Sequence, residues 1–142
     1  KIAQHTVDIE DDGKFHHIYA SWDASGGTIK LGVDGTIQDT TTFTGTFTGT
    51  FANAMIGQNT LDGNYLHGKV AHLGVFDRVV DISTVYVANR EPVDLTAMQY
   101  LVAYYKLDAG SGVTAFDASG KGNNGTLENT PTWSTSVPFK AD

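Results

Sequence analysis

The chain has 142 residues, which fits one domain with a core of its own. A net charge of −7 argues against a nucleic acid partner, and no apolar run approaches the ~18 residues of a membrane-spanning helix. No cysteine is present, which excludes disulfides, zinc–thiolate sites and thiol nucleophiles.

Sixteen glycines and many threonines favour strands and turns over helices. Residues 5–10, HTVDIE, alternate weakly and read as a strand, closed by a DDG turn. Residues 14–22, KFHHIYASW, form the next strand. Successive strand side chains point to opposite faces. His16 therefore goes with Ile18, Ala20 and Trp22, and His17 with Phe15 and Tyr19. Two neighbours so arranged cannot chelate one ion together. One histidine is expected to pack and the other to line a face or meet solvent. Trp22, sharing a parity with Ile18, is expected in the core.

TIKLGVDGTI, residues 28–37, reads as a hairpin, because Asp34-Gly35 supplies the positive φ angles of a type I′ turn. TTTFTGTFTGTF, residues 40–51, places Phe43, Phe47 and Phe51 with Gly45 and Gly49 on one parity. That suits an edge or loop-flanking strand with one aromatic face, the alternative being an ordinary strand facing the core. NAMIGQ is a short strand, NTLDGNYLHG a turn-rich loop and KVAHLGVFD a further strand. Residues 81–90 form the only plausible helix, kept short by Thr84, Val85 and Val87. EPVDLTAMQY is a linker. LVAYYKLD, residues 101–108, is a strand with Leu101, Ala103, Tyr105 and Leu107 inward. DASGKGNNG is a dense turn, and TLENTPTW leads out. Short strands divided by turns roughly every ten residues indicate an all-β antiparallel sandwich or jelly roll, with at most one short helix.

Four segments together resemble the laminin G-like, concanavalin A-like jelly-roll family. DGKFHHIYASWD is similar to its D-G-x-W-H-H-V-A strand, with Phe15 in the Trp place. TIKLGVDGTI is similar to its L-x-L-Y-V-D-G hairpin. AMIGQ followed by LHGKVAHLGVFDRVV resembles the I-G strand and the F-x-G-x-I-D-E-V-R-I-Y strand. YYKLDAGSGVTAFDASGKGNNGTL resembles Y-W-x-L-D-E-G-S-G followed by D-S-S-G-x-G-N-x-G-T-L. Ala71 and His72 replace the acidic pair of the I-D-E strand, and Ala109 stands where the family often has Glu. The resemblance implies a single domain over residues 1–142. Its main strands fall in 1–80, a short helix and linker in 81–100, and C-terminal strands in 101–142. The YYKLD segment, which opens many relatives, here comes last. A permuted domain and an incomplete one are the two alternatives. The chain also begins at Lys1 without Met or a signal-peptide pattern, as a processed or incomplete piece would.

The family includes laminarinase-type hydrolases, whose E-x-D-x-E face supplies nucleophile and acid/base. Retaining hydrolysis needs both carboxylates at one bond. The matching face here is Thr6, Asp8 and Glu10, and Thr6 cannot form the glycosyl ester. No G-x-S-x-G, H-E-x-x-H or P-loop motif is present. The chain is therefore expected not to be an enzyme, with an inactive hydrolase remnant as one alternative.

For sugar binding, an aromatic ring should stand beside amides or carboxylates. Tyr65 with Asp62, Asn64 and His67 fits that requirement, and Trp133 is second. Calcium wants six to eight hard oxygens. Asp117, Asn123, Asn124 and Asp62 could contribute to such a site, and the family often holds a rim calcium. The competing use of those turn residues is to hydrogen-bond their own backbone. The resemblance thus implies an extracellular, cell-surface or virion module that binds a glycan or surface glycoconjugate. The alternative is a structural or decoration subunit contacting other protein chains through its sheet edges.

Overall fold

A computed structural model of the chain describes residues 13–44, 54–58, 65–88 and 92–135. The expected strand at 5–10, the Phe47 and Phe51 part of the repeat, Asp62 and Asn64 lie outside the described residues.

Among the described residues every strand pair is antiparallel. The first sheet has the order β1-β2-β3, from β1 (Ile18–Asp23), β2 (Thr28–Val33) and β3 (Thr36–Thr42). The first turn is held by Asp23, whose Oδ1 accepts from the backbone of Ser25 and Gly26 at 2.9 Å each. The second carries Asp34 at φ 47° and Gly35 at φ 78°, the paired positive angles the Asp-Gly signal calls for. A Cβ on Gly35 would collide with the ring of Tyr86. Gly35→Ala therefore combines φ strain with a clash. It is expected to cost about 2 kcal/mol, read as a lower urea midpoint at unchanged slope.

The register places Ile18 against Val33, Ala20 against Leu31 and Trp22 against Ile29. These six residues share one face, and Tyr19 and Gly32 share the other. The buried face is that of Tyr19, not that of Trp22. Tyr19 donates its hydroxyl to Val80 O at 2.8 Å, and Gly32 leaves room for Ile82. Trp22 is 37% exposed and Ile18 51%, which corrects the core place expected for Trp22. Its indole packs instead on Phe43, with centroids 5.9 Å apart. Parity assigned the faces, but both faces carry apolar residues, so alternation alone could not say which one is covered.

The second sheet pairs β4 (Leu73–Phe76) with β5 (Leu101–Tyr105). Gly74 lies opposite Tyr104, and a Cβ on it would sit 2.5 Å from Leu95 Cδ1. The missing side chain makes room for the core, where Leu95, Leu101 and Tyr104 meet Phe76, Val85, Val93, Met98 and Ala118. Two expectations change here. The expected linker supplies Val93, Leu95 and Met98, so it is a lid on the core rather than a tether. Tyr104, assigned outward by parity, is 1% exposed. β5 pairs with β4 along one edge and meets Asp117 and Ala118 along the other, and its residues of both parities, Ala103 and Tyr104, are buried.

Between the two sheets runs α1 (Ile82–Val85), a single turn capped by Asp81, whose carboxylate accepts from Ser83 N at 2.8 Å. The sequence allows a helix to residue 90, but Tyr86 is already extended at φ −130° and ψ 135°. Val85 and Val87 resist helix continuation. A small third sheet pairs β6 (Thr114–Ala115) with β7 (Gly125–Thr126). Among the described residues no helix is long and apolar enough to cross a membrane.

Candidate functional site

Tyr65 forms an isolated antiparallel bridge with Gln58, and Leu66 N donates to Gly57 O at 2.8 Å. Residues opposite each other in such a bridge project to the same face. The Gln58 side chain therefore projects to the same face as the Tyr65 ring. The ring is 55% exposed, and His67 follows it, also exposed. Met55, Ile56 and Leu66 add exposed apolar surface around it. A ring for a C–H face and an amide for hydroxyls is what saccharide binding requires. Gln58 was not among the residues expected, because only the pairing of two short segments across a turn-rich loop brings it to Tyr65.

Trp133 lies elsewhere. Its indole Nε1–H donates to Gly112 O at 2.9 Å, which ties the outgoing chain to the glycine turn before β6. Among the described residues no hydrogen bond or ring contact joins it to Tyr65.

The DASGKGNNG turn is an internal clamp. Asp117 Oδ1 accepts from Tyr104 N and Ser119 N, both at 2.9 Å. Its Oδ2 accepts from Ser119 Oγ at 2.8 Å and Asn123 N at 2.9 Å. Asn124 Oδ1 accepts from Asp117 N, and Asn123 Nδ2 donates to Val102 O. Desolvation alone would raise the Asp117 pKa. The donors from Tyr104, Ser119 and Asn123 outweigh it and hold the carboxyl well below the usual carboxylate range. Both carboxylate oxygens of Asp117 and Oδ1 of Asn124 thus accept from protein donors. Among the described residues no group of three or more His, Asp or Glu side chains could hold a metal ion.

A cleft of about 670 Å³ separates β1 from β4 and the α1 region. Its walls include Tyr19, Phe76, Val85 and Tyr86, with His16, His17, Asp34 and His72 as polar groups. His16 and His17 diverge as adjacent residues on an extended chain must. His16 Nδ1 lies 2.8 Å from Asp34 Oδ2, and the His17 ring packs on Tyr86 with centroids 5.3 Å apart. Asp34 Oδ1 also accepts from His17 N at 3.0 Å. His72, at φ 54°, sets its Nδ1 2.8 Å from the Tyr104 hydroxyl. Burial lowers the pKa of His17 against a smaller opposing pull from Asp34. It lowers that of His72 against Asp108 and Asp94.

A family model described as the concanavalin A-like lectin/glucanases superfamily matches residues 2–85, more than half of the chain. No curated protein and no solved structure shows a significant match.

Proposed function

We propose, since the chain belongs to the concanavalin A-like lectin/glucanases superfamily, that it is a non-catalytic module binding carbohydrate outside a cell, on a cell surface or on a virion. The observation that supports the reading is the bridge between Tyr65 and Gln58, which sends an exposed ring and an amide to one face. The ring would take the apolar face of a sugar, and Gln58 and His67 would read its hydroxyls. A net charge of −7 disfavours acidic glycans over neutral ones.

A glycan array followed by calorimetric titration tests this. Tyr65→Ala is expected to weaken the best neutral glycan by about tenfold or more while leaving the circular dichroism and thermal midpoint unchanged. Binding that ignores the substitution, or an array without signal, counts against the reading.

We assign calcium no place at the Asp117 turn. An ionised carboxylate has about four lone-pair sites, and the donors named above take four. Excess calcium should leave the thermal midpoint unchanged. A rise that a chelator reverses, and that Asp117→Asn abolishes, would place calcium there after all.

One observation favours a structural subunit instead. The Ile18, Ala20 and Trp22 face of the first sheet is apolar and open. Such a face is suited to cover by another chain. Sedimentation over a concentration series separates the readings, since a monomer at all concentrations removes the case for self-association.

A further inference from the structure

Among the described residues, one buried side-chain nitrogen has no hydrogen-bond partner, and it is Nδ1 of His17. Orphaned buried polar atoms are rare in folded proteins and ask for a reason. We propose that the seam between the first sheet and the α1 region, residues 80–86, is an acid-sensitive latch, closed while His17 is neutral and parted when its buried nitrogen takes up a proton.

The seam is built from few contacts. The His17 ring meets Tyr86 at an interplanar angle of 43°, Tyr86 covers Gly35, Ile82 reaches over Gly32, and the Tyr19 hydroxyl holds Val80 O. A neutral imidazole with its proton on Nε2 leaves only a bare lone pair at Nδ1, which an apolar wall tolerates. An imidazolium must donate from both nitrogens, and Nδ1 has no acceptor in reach.

Asp34 is the acceptor closest to hand, but its carboxylate is engaged. One oxygen takes the backbone N–H of His17 and the other lies 2.8 Å from His16 Nδ1. From the other elements, Tyr86 faces the ring, and His72, Asp77 and Arg78 line the far side of the same cleft. Burial disfavours the proton on His17 more than the charge of Asp34 favours it. The folded chain therefore binds fewer protons here than the unfolded chain. The closed seam is fully stable above the ordinary histidine value of 6.5 and weakens as pH falls below it. Acidification below that value would open the cleft.

The test compares the full chain with His17→Phe, which keeps a ring against Tyr86 and removes the titration. Thermal midpoints are measured from about pH 7.5 to about pH 5. The wild type is expected to lose several degrees more than the variant, because His16 and His72 remain in both and cancel. Equal losses overturn the proposal. Should the variant fail to fold, an NMR titration of the wild type decides. His17 titrating below its ordinary value, with amide exchange at residues 82–88 rising in step, supports the latch. Titration at or above that value, or exchange that does not follow it, overturns it.

Discussion

Tyr104→Ala is expected to destabilise the protein by about 3–5 kcal/mol, enough to unfold much of the population at physiological temperature. Tyr104 is the most buried large side chain among the described residues, at 1% exposure. Its ring packs with Leu95 and Leu101 in the core cluster, beside Phe76, Val85, Val93, Met98 and Ala118. Its hydroxyl lies 2.8 Å from His72 Nδ1 and donates to Val93 O at 3.4 Å, so truncation also strands two polar partners. Tyr104→Phe keeps the packing and loses only the hydroxyl, so about 1–2 kcal/mol is expected. Urea unfolding of both variants checks the pair. Equal costs would mean that packing is not what Tyr104 contributes.

Asp117→Ala should be the second most damaging change. It removes the acceptor of four donors drawn from Tyr104, Ser119 and Asn123. The clamp they form also fixes Asn123 Nδ2 on Val102 O and the Tyr105 hydroxyl on Asn123 O, so β5 loses one of its two flanks. A fall in thermal midpoint on the order of 10 °C is expected, with amides of β6 and β7 losing protection first. The pH dependence gives a separate check. The folded Asp117 carboxyl is held below its ordinary value of 3.8, so the folded state binds fewer protons than the unfolded state in acid. Its contribution is complete above that value and is lost as pH falls below it. The gap between wild type and Asp117→Ala should therefore narrow as pH drops from about 5 to about 2. A gap that stays constant would show that the carboxylate charge is not what holds the turn.

Features that depend on neighbours along the chain can be read from residue order alone. The Asp34-Gly35 hairpin was legible because a two-residue turn constrains φ locally, and both angles are positive as expected. The all-β class was legible from the spacing of strands and turns. The shortness of the helix followed from Val85 and Val87, which crowd a helical turn. The Asp117 turn was recognised as a turn, because glycine and asparagine mark one wherever it sits.

What covers what depends on contacts between distant parts of the chain. Trp22 and Tyr19 alternate on one strand, and nothing local says which side another layer will occupy. Val80 and Ile82, some sixty and fifty residues away in sequence, settle it in favour of Tyr19 and Gly32. Tyr104 escaped the parity reading because both faces of β5 are covered, with Ala103 buried on one and Tyr104 packed against Leu95 on the other. The linker became part of the core because Leu95 packs over Gly74, a contact between residues twenty-one apart. At the candidate site, an exposed Tyr65 could be guessed from its polar surroundings, but Gln58 could not, because a cross-strand neighbour exists only once the strands have paired. Burial is a property of surfaces brought together from distant parts of the chain, and periodicity describes only one of those surfaces at a time.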